Sequence, residues 1–212
     1  MIGTKIIDLT LPINNTMGGV SIEPAKTISK DGWNATTLHL YSHSGTHMDA
    51  PMHFNVSNET IDVLPVKRFV SKAWKVNLTH IKPKESITVA HLSSIQDKIL
   101  PGDSILLHTG WSSKIGTLAY RNDLPRISKE LAIWLGSKKV NILGVEPPSV
   151  ADVNNISEVT EIHEIIMRNN IIIVEGLTNL NSLGDNSFTL IALPLKVENG
   201  DGSPARVIAI EE

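Results

Sequence analysis

Four side chains that can bind a metal ion lie within eleven residues of one another, all at odd-numbered positions. They are His43, His47, Asp49 and His53. Gly45 and Pro51 interrupt the segment and disfavour a helix, whereas an extended chain projects alternate side chains to one face. The spacing therefore predicts the end of a strand that runs into an irregular loop.

Imidazole and carboxylate groups in this pattern indicate a site for Zn²⁺ or Mn²⁺. Three donors, His43, His47 and Asp49, would leave a coordination position open for water, and an open position permits catalysis. Gly45 allows a positive φ or a close approach of the backbone to an ion, and Pro51 stiffens the turn that returns His53 toward it. The alternative interpretation is a histidine-rich loop that binds no ion.

A second pair of candidate ligands lies far along the chain. Apolar residues at helical spacing predict a helix over residues 157–169, with Ser157 as its N-cap and His163 beside its apolar face. A β-branched run then predicts a buried strand over residues 171–175 that ends in Glu175, with no Lys or Arg within six residues to pair with it. Each residue alone is more typical of a structural role. Together with Asp49, which can bridge two ions, they predict a second metal site.

The pattern His-x-Gly-Thr-His-x-Asp-x-Pro-x-His over residues 43–53 resembles the signature of the cyclase family of metal-dependent hydrolases. That family includes bacterial kynurenine formamidases (arylformamidases) and isatin hydrolases. Further matching blocks extend the resemblance over essentially the whole chain. They are residues 143–149, 163–177, 191–195 and 200–204.

The resemblance implies two metal sites in each subunit that share one carboxylate. The implied ligands are His43, His47 and Asp49 at one site and Asp49, His163 and Glu175 at the other. It also implies that His53 is the catalytic acid/base residue. Zn²⁺ is the expected ion, and Mn²⁺ is the alternative because both ions accept imidazole and carboxylate donors.

The implied reaction is hydrolysis of a carbon–nitrogen bond, other than a peptide bond, by a metal-activated water. The leading hypothesis is hydrolysis of N-formylkynurenine to kynurenine and formate, a step of tryptophan catabolism in the kynurenine pathway. One alternative is the opening of a cyclic amide or lactone, as in isatin hydrolases. Another is a metal-dependent binding protein without catalysis, but binding alone would not need a base such as His53.

Two departures from the formamidase pattern concern substrate choice. Glu146 stands where formamidases usually have Asp in a Gly-x-Asp-x-x-Ser context, and residues 15–23 lack a Trp-Pro-Gly-Asp-like stretch. Trp111 and Trp33 are candidates for an aromatic wall around a substrate ring, with core packing and a surface loop as the respective alternatives. His39 shares the parity of His43 and is predicted to flank the site rather than to bind the ion.

Composition limits the function further. The 212 residues fit one domain, residues 1–212, and 41% hydrophobic with 19% charged residues is typical of globular proteins. A net charge of −3 without a basic cluster argues against a nucleic-acid partner, and the lack of cysteine excludes thiolate ligands. No signal peptide or long apolar run is visible, so a cytoplasmic enzyme that acts on a small molecule, without a membrane partner, is expected.

The pattern of apolar residues predicts more strands than helices, without strict alternation, which argues against a doubly wound sheet. The predicted strands cover residues 5–11, 36–42, 72–77, 104–108, 142–145, 171–175, 188–194 and 205–210, and the helices cover 91–96, 128–136 and 157–169. The resemblance implies an α/β domain with a layered β/β/α fold of the swivelling type. It also implies a homo-oligomer, a dimer or tetramer, because active sites of the family can include residues of a neighbouring subunit.

Overall fold

A computed structural model describes residues 4–211 as a mixed α/β structure. Its strands are β1 (Lys5–Asp8), β2 (Val20–Lys26), β3 (Ala35–Leu40), β4 (His47–Asp49), β5 (Val70–Asn77), β6 (Ser86–Ile87), β7 (Ser104–His108), β8 (Arg126–Ile127), β9 (Ile142–Val145), β10 (Ile172–Glu175), β11 (Phe188–Pro194) and β12 (Gly202–Glu211). Its helices are α1 (Ile28–Asp31), α2 (Leu118–Asn122), α3 (Lys129–Ser137) and α4 (Ile156–Arg168). Short 3₁₀ turns connect several of these elements.

Eight strands form the main sheet in the order β1-β12-β11-β5-β7-β9-β10-β4. The first residues of β12 also pair with β4, so the two ends of this order meet and the sheet closes into a barrel-like shape. Strands β5, β7, β9 and β10 are parallel, and their carboxyl ends therefore lie at the same edge. Polar residues that follow these strands are brought together at that edge.

The two faces of the sheet bury separate apolar cores. The inner core contains Met48, Leu106, Val174, Leu190 and Val207. The outer core lies between the sheet and helices α3 and α4, and contains Leu107, Leu131, Val145, Ile166 and Ile173. Neighbouring residues of one strand, such as Leu106 and Leu107, belong to different cores, because alternate side chains of a strand point to opposite faces.

Most predicted elements are confirmed. Residues 104–108, 142–145 and 188–194 form strands with the predicted bounds, and the other predicted strands differ by a few residues at their ends. Sequence patterns did not reveal β2, β6 and β8, which lie outside the main sheet, because short or exposed strands carry little apolar periodicity. No helix within residues 4–211 is long and apolar enough to cross a membrane.

Three details of the predicted elements, two in helices and one in a strand, are wrong. The N-cap of helix α4 is Asn155, two residues before the predicted Ser157, and the Asn155 side chain accepts a hydrogen bond from the backbone N–H of Glu158. The first strand ends at Asp8, and Thr10 forms only an isolated bridge with Leu177. Instead of a helix over residues 91–96, a 3₁₀ turn covers Val89–Leu92, because the Thr88 and His91 side chains cap it reciprocally.

Strands β2 and β3, with α1 between them, form an exposed arm over residues 20–40. Among the strands that the structure describes, β2 and β3 pair with each other alone and form a separate two-stranded sheet. Trp33 and Leu38 on the arm are more than half exposed, and His39 is exposed too. The sequence prediction of a strand over residues 36–42 is thus confirmed in type, although β3 ends at Leu40 before the donor-rich segment begins.

Candidate metal centre and adjoining pocket

The predicted donors converge where the sheet meets helix α4. His47 and Asp49 lie on β4, and the register between β4 and β10 places His47 directly opposite Glu175. Helix α4 contributes His163 from the other side. We call His43, His47, Asp49, His163 and Glu175 the donor cluster. The last four of these are buried although each is polar or charged, which is unusual unless such groups are paired or bind an ion.

Asp49 lies between two groups of imidazoles. Its Oδ1 atom is 2.9 Å from Nδ1 of His43 and 3.6 Å from Nε2 of His47. Its Oδ2 atom is 3.8 Å from Nε2 of His163. The two oxygens of one carboxylate therefore face different imidazoles, an arrangement that fits a bridge between two cations.

Glu175 completes the second group of donors. Its Oε1 atom is 3.5 Å from Nε2 of His163, and its Oε2 atom is 3.3 Å from Nε2 of His47. Oε1 also accepts a hydrogen bond of 2.8 Å from the backbone N–H of Val150. Within each predicted triplet, the candidate ligand atoms lie within 4.8 Å of one another. The residues present thus fit a centre for two metal ions.

Backbone carbonyls fix the orientation of two histidines. Nδ1 of His47 donates to the carbonyl of Gly45 at 3.0 Å, and Nδ1 of His163 donates to the carbonyl of Val159 at 2.7 Å. A carbonyl can only accept, so each Nδ1 carries the proton, and in the neutral ring each Nε2 has a free lone pair directed at the carboxylates. The two rings are therefore oriented as metal ligands before any ion binds.

Thr46 joins the donor-rich segment to the end of β10. Its hydroxyl accepts from the N–H of Leu11 at 2.9 Å and donates to the carbonyl of Gly176 at 2.5 Å. Gly45 has a φ of +63°, one of the two alternatives predicted for it, which lets the chain turn immediately before β4. These contacts explain why Gly and Thr stand between the first two histidines.

The electrostatics of the cluster favour a cation. Burial disfavours a charge on His43, but contacts with Asp49 and Asp201 outweigh it and raise the pKa of His43 to about 9. Burial also disfavours a charge on His47 and His163, but the neighbouring carboxylates outweigh it and raise the pKa values of both. The imidazoles in turn hold the pKa values of Asp49 and Glu175 below their usual range, although burial alone would raise them. In the absence of an ion, protons on the histidines compensate the buried carboxylates. A divalent cation could replace those protons.

His53 lies at the edge of the donor cluster. It belongs to the 3₁₀ turn Pro51–Phe54, and its ring stacks on that of His43 with centroids 3.8 Å apart. Its Nδ1 atom is 3.6 Å from Oδ2 of Asp201, which is also 3.1 Å from Nε2 of His43. Burial lowers the pKa of His53, so its imidazole is neutral at neutral pH and able to accept a proton.

Sequence reasoning missed Asp201, which lies beside the donor cluster. This residue lies just before β12, within the matching block at residues 200–204, and the closure of the sheet brings it to His43 and His53. His43, His53 and Asp201 form a third group of donors within 4.8 Å. Gly202 beside it is necessary, because an added Cβ would lie 2.7 Å from the ring of His43. The Gly-Asp-Gly sequence was the available signal.

A cavity of about 530 Å³ opens beside His43 and His47. Apolar and aromatic side chains form much of its lining, and we call them the pocket wall. They are Leu11, Met17, Tyr41, Ile115, Tyr120 and Pro148. A pocket of this size with an apolar lining and a few polar groups is suited to a small organic molecule.

Glu146 holds the loop that leads to one side of the pocket. Its carboxylate accepts hydrogen bonds from the backbone N–H groups of Thr109, Gly110 and Trp111 and from the hydroxyls of Thr109 and Ser112, at distances of 2.5–3.2 Å. The Tyr120 hydroxyl donates to the carbonyl of Glu146 at 3.0 Å. The glutamate at this position therefore anchors residues 109–112 and, through Tyr120, helix α2.

Residues 7–152, more than half of the chain, match the Cyclase family model. The chain belongs to the Cyclase family. Kynurenine formamidase of Bacillus thuringiensis (strain Al Hakam) is 27% identical over 211 residues, with 95% of each protein covered. Kynurenine formamidase of Bacillus cytotoxicus (strain DSM 22905 / CIP 110041 / 391-98 / NVH 391-98) is 30% identical over 216 residues, with 98% of each covered.

The fold of this Cyclase-family chain is similar to that of solved hydrolases. An isatin hydrolase bound to the product analogue thioisatinate superposes with a TM-score of 0.87 and 25% sequence identity, covering 98% of this chain and 92% of that one. Isatin hydrolase A of Ralstonia solanacearum has a TM-score of 0.88 at 24% identity, covering 99% and 92%, and this second likeness concerns the fold alone.

Neither tryptophan predicted to bind substrate lines the pocket of this Cyclase-family chain. Trp111 is buried, and its indole N–H donates to the carbonyl of Tyr120, so it packs in the core. Trp33 lies on the exposed arm and is 58% exposed. Tyr41 and Tyr120 supply the aromatic lining instead. His39, predicted to flank the site, is exposed on the arm and belongs to none of the three donor groups formed within residues 4–211.

Proposed function

We propose that this Cyclase-family protein is a metal-dependent amidohydrolase that converts N-formylkynurenine to kynurenine and formate. The observation that carries the proposal is the position of Asp49, whose two oxygens face imidazoles on opposite sides within a buried cluster. Relatives named kynurenine formamidase match 95–98% of the chain and support this substrate.

The donor cluster is the proposed binding site for two metal ions, with Zn²⁺ expected and Mn²⁺ as the alternative. The ligands would be His43, His47 and Asp49 for one ion and Asp49, His163 and Glu175 for the other. When bound, such ions would act as Lewis acids on a carbonyl oxygen and lower the pKa of a coordinated water. The hydrogen bonds of His47 and His163 to backbone carbonyls support this assignment, because they direct Nε2 of each ring to the centre.

His53 is the proposed acid/base residue. It would take a proton from the attacking water as the new carbon–oxygen bond forms. It would return that proton to the formamide nitrogen as the carbon–nitrogen bond breaks, so that a neutral aromatic amine and formic acid leave, and the acid releases its remaining proton to solvent to give formate. The lowered pKa of His53 supports the first step, and the carboxylate of Asp201 near Nδ1 would orient the ring.

The pocket wall supports an aromatic substrate. Tyr41 and Tyr120 contribute rings, and Leu11, Met17 and Ile115 contribute aliphatic surface next to His43 and His47. An aryl formamide bound there would bury its ring against apolar side chains and present its formyl carbon toward the donor cluster.

Ring opening of a cyclic amide is the second candidate function. The isatin hydrolase with a TM-score of 0.87 supports it, since attack on the carbonyl of a strained ring requires the same groups. The layered β/β/α description of the swivelling type, a homo-oligomeric assembly and a cytoplasmic location stay predictions. The closed sheet with α3 and α4 against one face is compatible with that layered description.

Reconstitution of the metal-stripped protein tests the proposal. Protein loaded with Zn²⁺, and separately with Mn²⁺, is assayed by absorbance with N-formylkynurenine and with isatin. We expect metal-dependent turnover of N-formylkynurenine. Metal-dependent turnover of isatin alone would replace it with the second candidate, and no turnover of either substrate with two bound ions would refute both.

A pair of histidine variants controls for nonspecific effects. His163→Ala should lose bound metal and activity, because its Nε2 faces both Asp49 and Glu175. His39→Ala removes an exposed histidine of the arm and should retain both. Equal metal content in the two variants, measured by elemental analysis, would contradict the ligand assignment.

A further inference from the structure

The pocket contains one side chain with a permanent charge. The residues that line it include no lysine, aspartate or glutamate, and Arg121 is their single arginine. Arg121 lies on α2, next to Tyr120 of the pocket wall. An exposed guanidinium at the border of a cavity with an apolar and aromatic wall and a few uncharged polar groups favours a ligand that combines an apolar body with a negative charge.

Arg121 differs from the other four arginines of the chain. Each of those has partners within the protein: Arg68 pairs with Asn141 and Asn170, Arg126 with Asp152 and Glu158, Arg168 with Glu164, and Arg206 with Asp8. Within residues 4–211, the guanidinium of Arg121 has neither a hydrogen-bond acceptor nor a carboxylate partner. Its hydrogen-bonding capacity is thus available to a molecule in the pocket.

The backbone that carries Arg121 is held in place. The hydroxyl of Tyr120 donates to the carbonyl of Glu146, and the carbonyl of Tyr120 accepts from the indole of Trp111. Trp111 is in turn part of the loop bound by the Glu146 carboxylate. The base of the Arg121 side chain is therefore fixed relative to the end of β9, while its guanidinium remains free. Such a partly ordered group loses less entropy when it binds a ligand than a group on a mobile loop.

We propose that Arg121 determines specificity by binding the carboxylate of an aromatic substrate. This inference rests on the proposed function and adds to it the residue that selects the substrate: Arg121 would favour an aryl formamide that carries a carboxylate on a side chain of the ring. N-formylkynurenine has this chemistry, whereas isatin is neutral. The planar guanidinium can form two parallel hydrogen bonds with a carboxylate, which lysine cannot reproduce.

A matched pair of substrates tests the inference. N-formylkynurenine carries the amino-acid side chain, and 2-formamidoacetophenone has the same aryl formamide without a carboxylate. In the metal-loaded protein, Arg121→Gln should lower kcat/KM for N-formylkynurenine about 10- to 100-fold, mainly through KM, and change that for 2-formamidoacetophenone by less than about twofold. Arg168→Gln, which removes the same charge from an exposed ion pair, should change neither.

Binding of the reaction products provides a readout that does not depend on turnover. Calorimetry compares kynurenine, which carries the carboxylate, with 2-aminoacetophenone, which does not. Wild-type protein should bind kynurenine more tightly, and Arg121→Gln should remove that difference while Arg121→Lys restores part of it.

The outcomes separate this inference from the proposed function. Equal loss with both substrates in Arg121→Gln would mean a structural role and would overturn the inference, as would equal binding of both products by the wild-type protein. Absence of formamide turnover in the wild-type protein would refute the proposed function alone, because preferential binding of kynurenine that depends on Arg121 would still support a carboxylate site.

Discussion

The donor cluster and the pocket wall lie next to each other but are held differently. His47, Asp49 and Glu175 are on paired strands and His163 is on a packed helix, so their positions follow from the sheet register and the outer core. Tyr41 and Ile115 of the pocket wall lie outside the main sheet, and both are exposed by more than a third. The proposed metal ligands therefore lie mainly on the sheet and helix α4, whereas the proposed substrate contacts lie on loops and on the short helix α2. Such a division lets the substrate change without loss of the catalytic groups.

Asp49→Asn should have the largest effect. The amide keeps the shape but removes the negative charge that faces His43 and His163, so both proposed ions lose a ligand. We expect metal content to fall and activity to decrease to that of the metal-stripped protein, as measured by elemental analysis and absorbance assay. Two ions bound to the variant would show that Asp49 is not the bridge.

His53→Ala should lower kcat by about 10²–10⁴-fold while both ions remain bound. His53 is stacked on His43 but belongs to the 3₁₀ turn rather than to β4, so the donor cluster should survive its removal. Metal content and kcat are measured on the same sample. A parallel loss of metal and activity would assign His53, with Asp201, as a ligand instead of the acid/base residue.

Glu146→Gln should damage the pocket more than the donor cluster. The amide can no longer accept all the hydrogen bonds from residues 109–112, and an imperfectly satisfied buried group of this kind destabilises a protein by about 1–3 kcal/mol. We expect a lower Tm and a higher KM with unchanged metal content. Glu161→Gln, at an exposed ion pair with Lys129, is the matched control and should leave KM and metal content as they are.

The stability of the metal-stripped protein should fall as the pH rises from about 6.5 to 9. The pKa of His43 is raised to about 9 in the folded state from 6.5, so its stabilisation is present in full below pH 6.5 and is lost as pH rises through 9. Metal-loaded protein should lack this decrease, because the ion replaces the proton. Thermal unfolding of the metal-stripped and the metal-loaded protein at several pH values measures these stabilities. A stripped protein that becomes more stable between pH 6.5 and 9 would contradict the protonated state assigned to His43.

Trp33→Ala should have the smallest effect. Its side chain is 58% exposed on the arm and does not line the pocket, so kcat/KM should change by less than about twofold. Tyr41→Ala is the informative counterpart, since Tyr41 does line the pocket, and its KM should rise. A large effect of Trp33→Ala on kcat/KM would mean that the arm reaches a substrate, in this subunit or in a neighbouring one.

The sequence alone predicted the chemistry of the donor cluster, because its information is local. The alternate spacing of His47 and Asp49 identifies one face of a strand, and the helix followed by a strand places His163 on a buried helix face and Glu175 at the end of a buried strand. The same local patterns predicted most strands of the sheet. Patterns of this kind depend on side-chain chemistry and backbone periodicity, which do not require knowledge of distant contacts.

Only the tertiary structure decided which other residues join the site. Asp201 is 158 positions from His43 and reaches it because β12 pairs with β4. Tyr41 lines the pocket from a loop and Tyr120 and Arg121 line it from helix α2, whereas the two tryptophans chosen for their ring chemistry lie elsewhere. The physical reason is that sheet closure and loop packing are set by long-range pairing and burial, and these properties leave no periodic signal in the residues that they bring together.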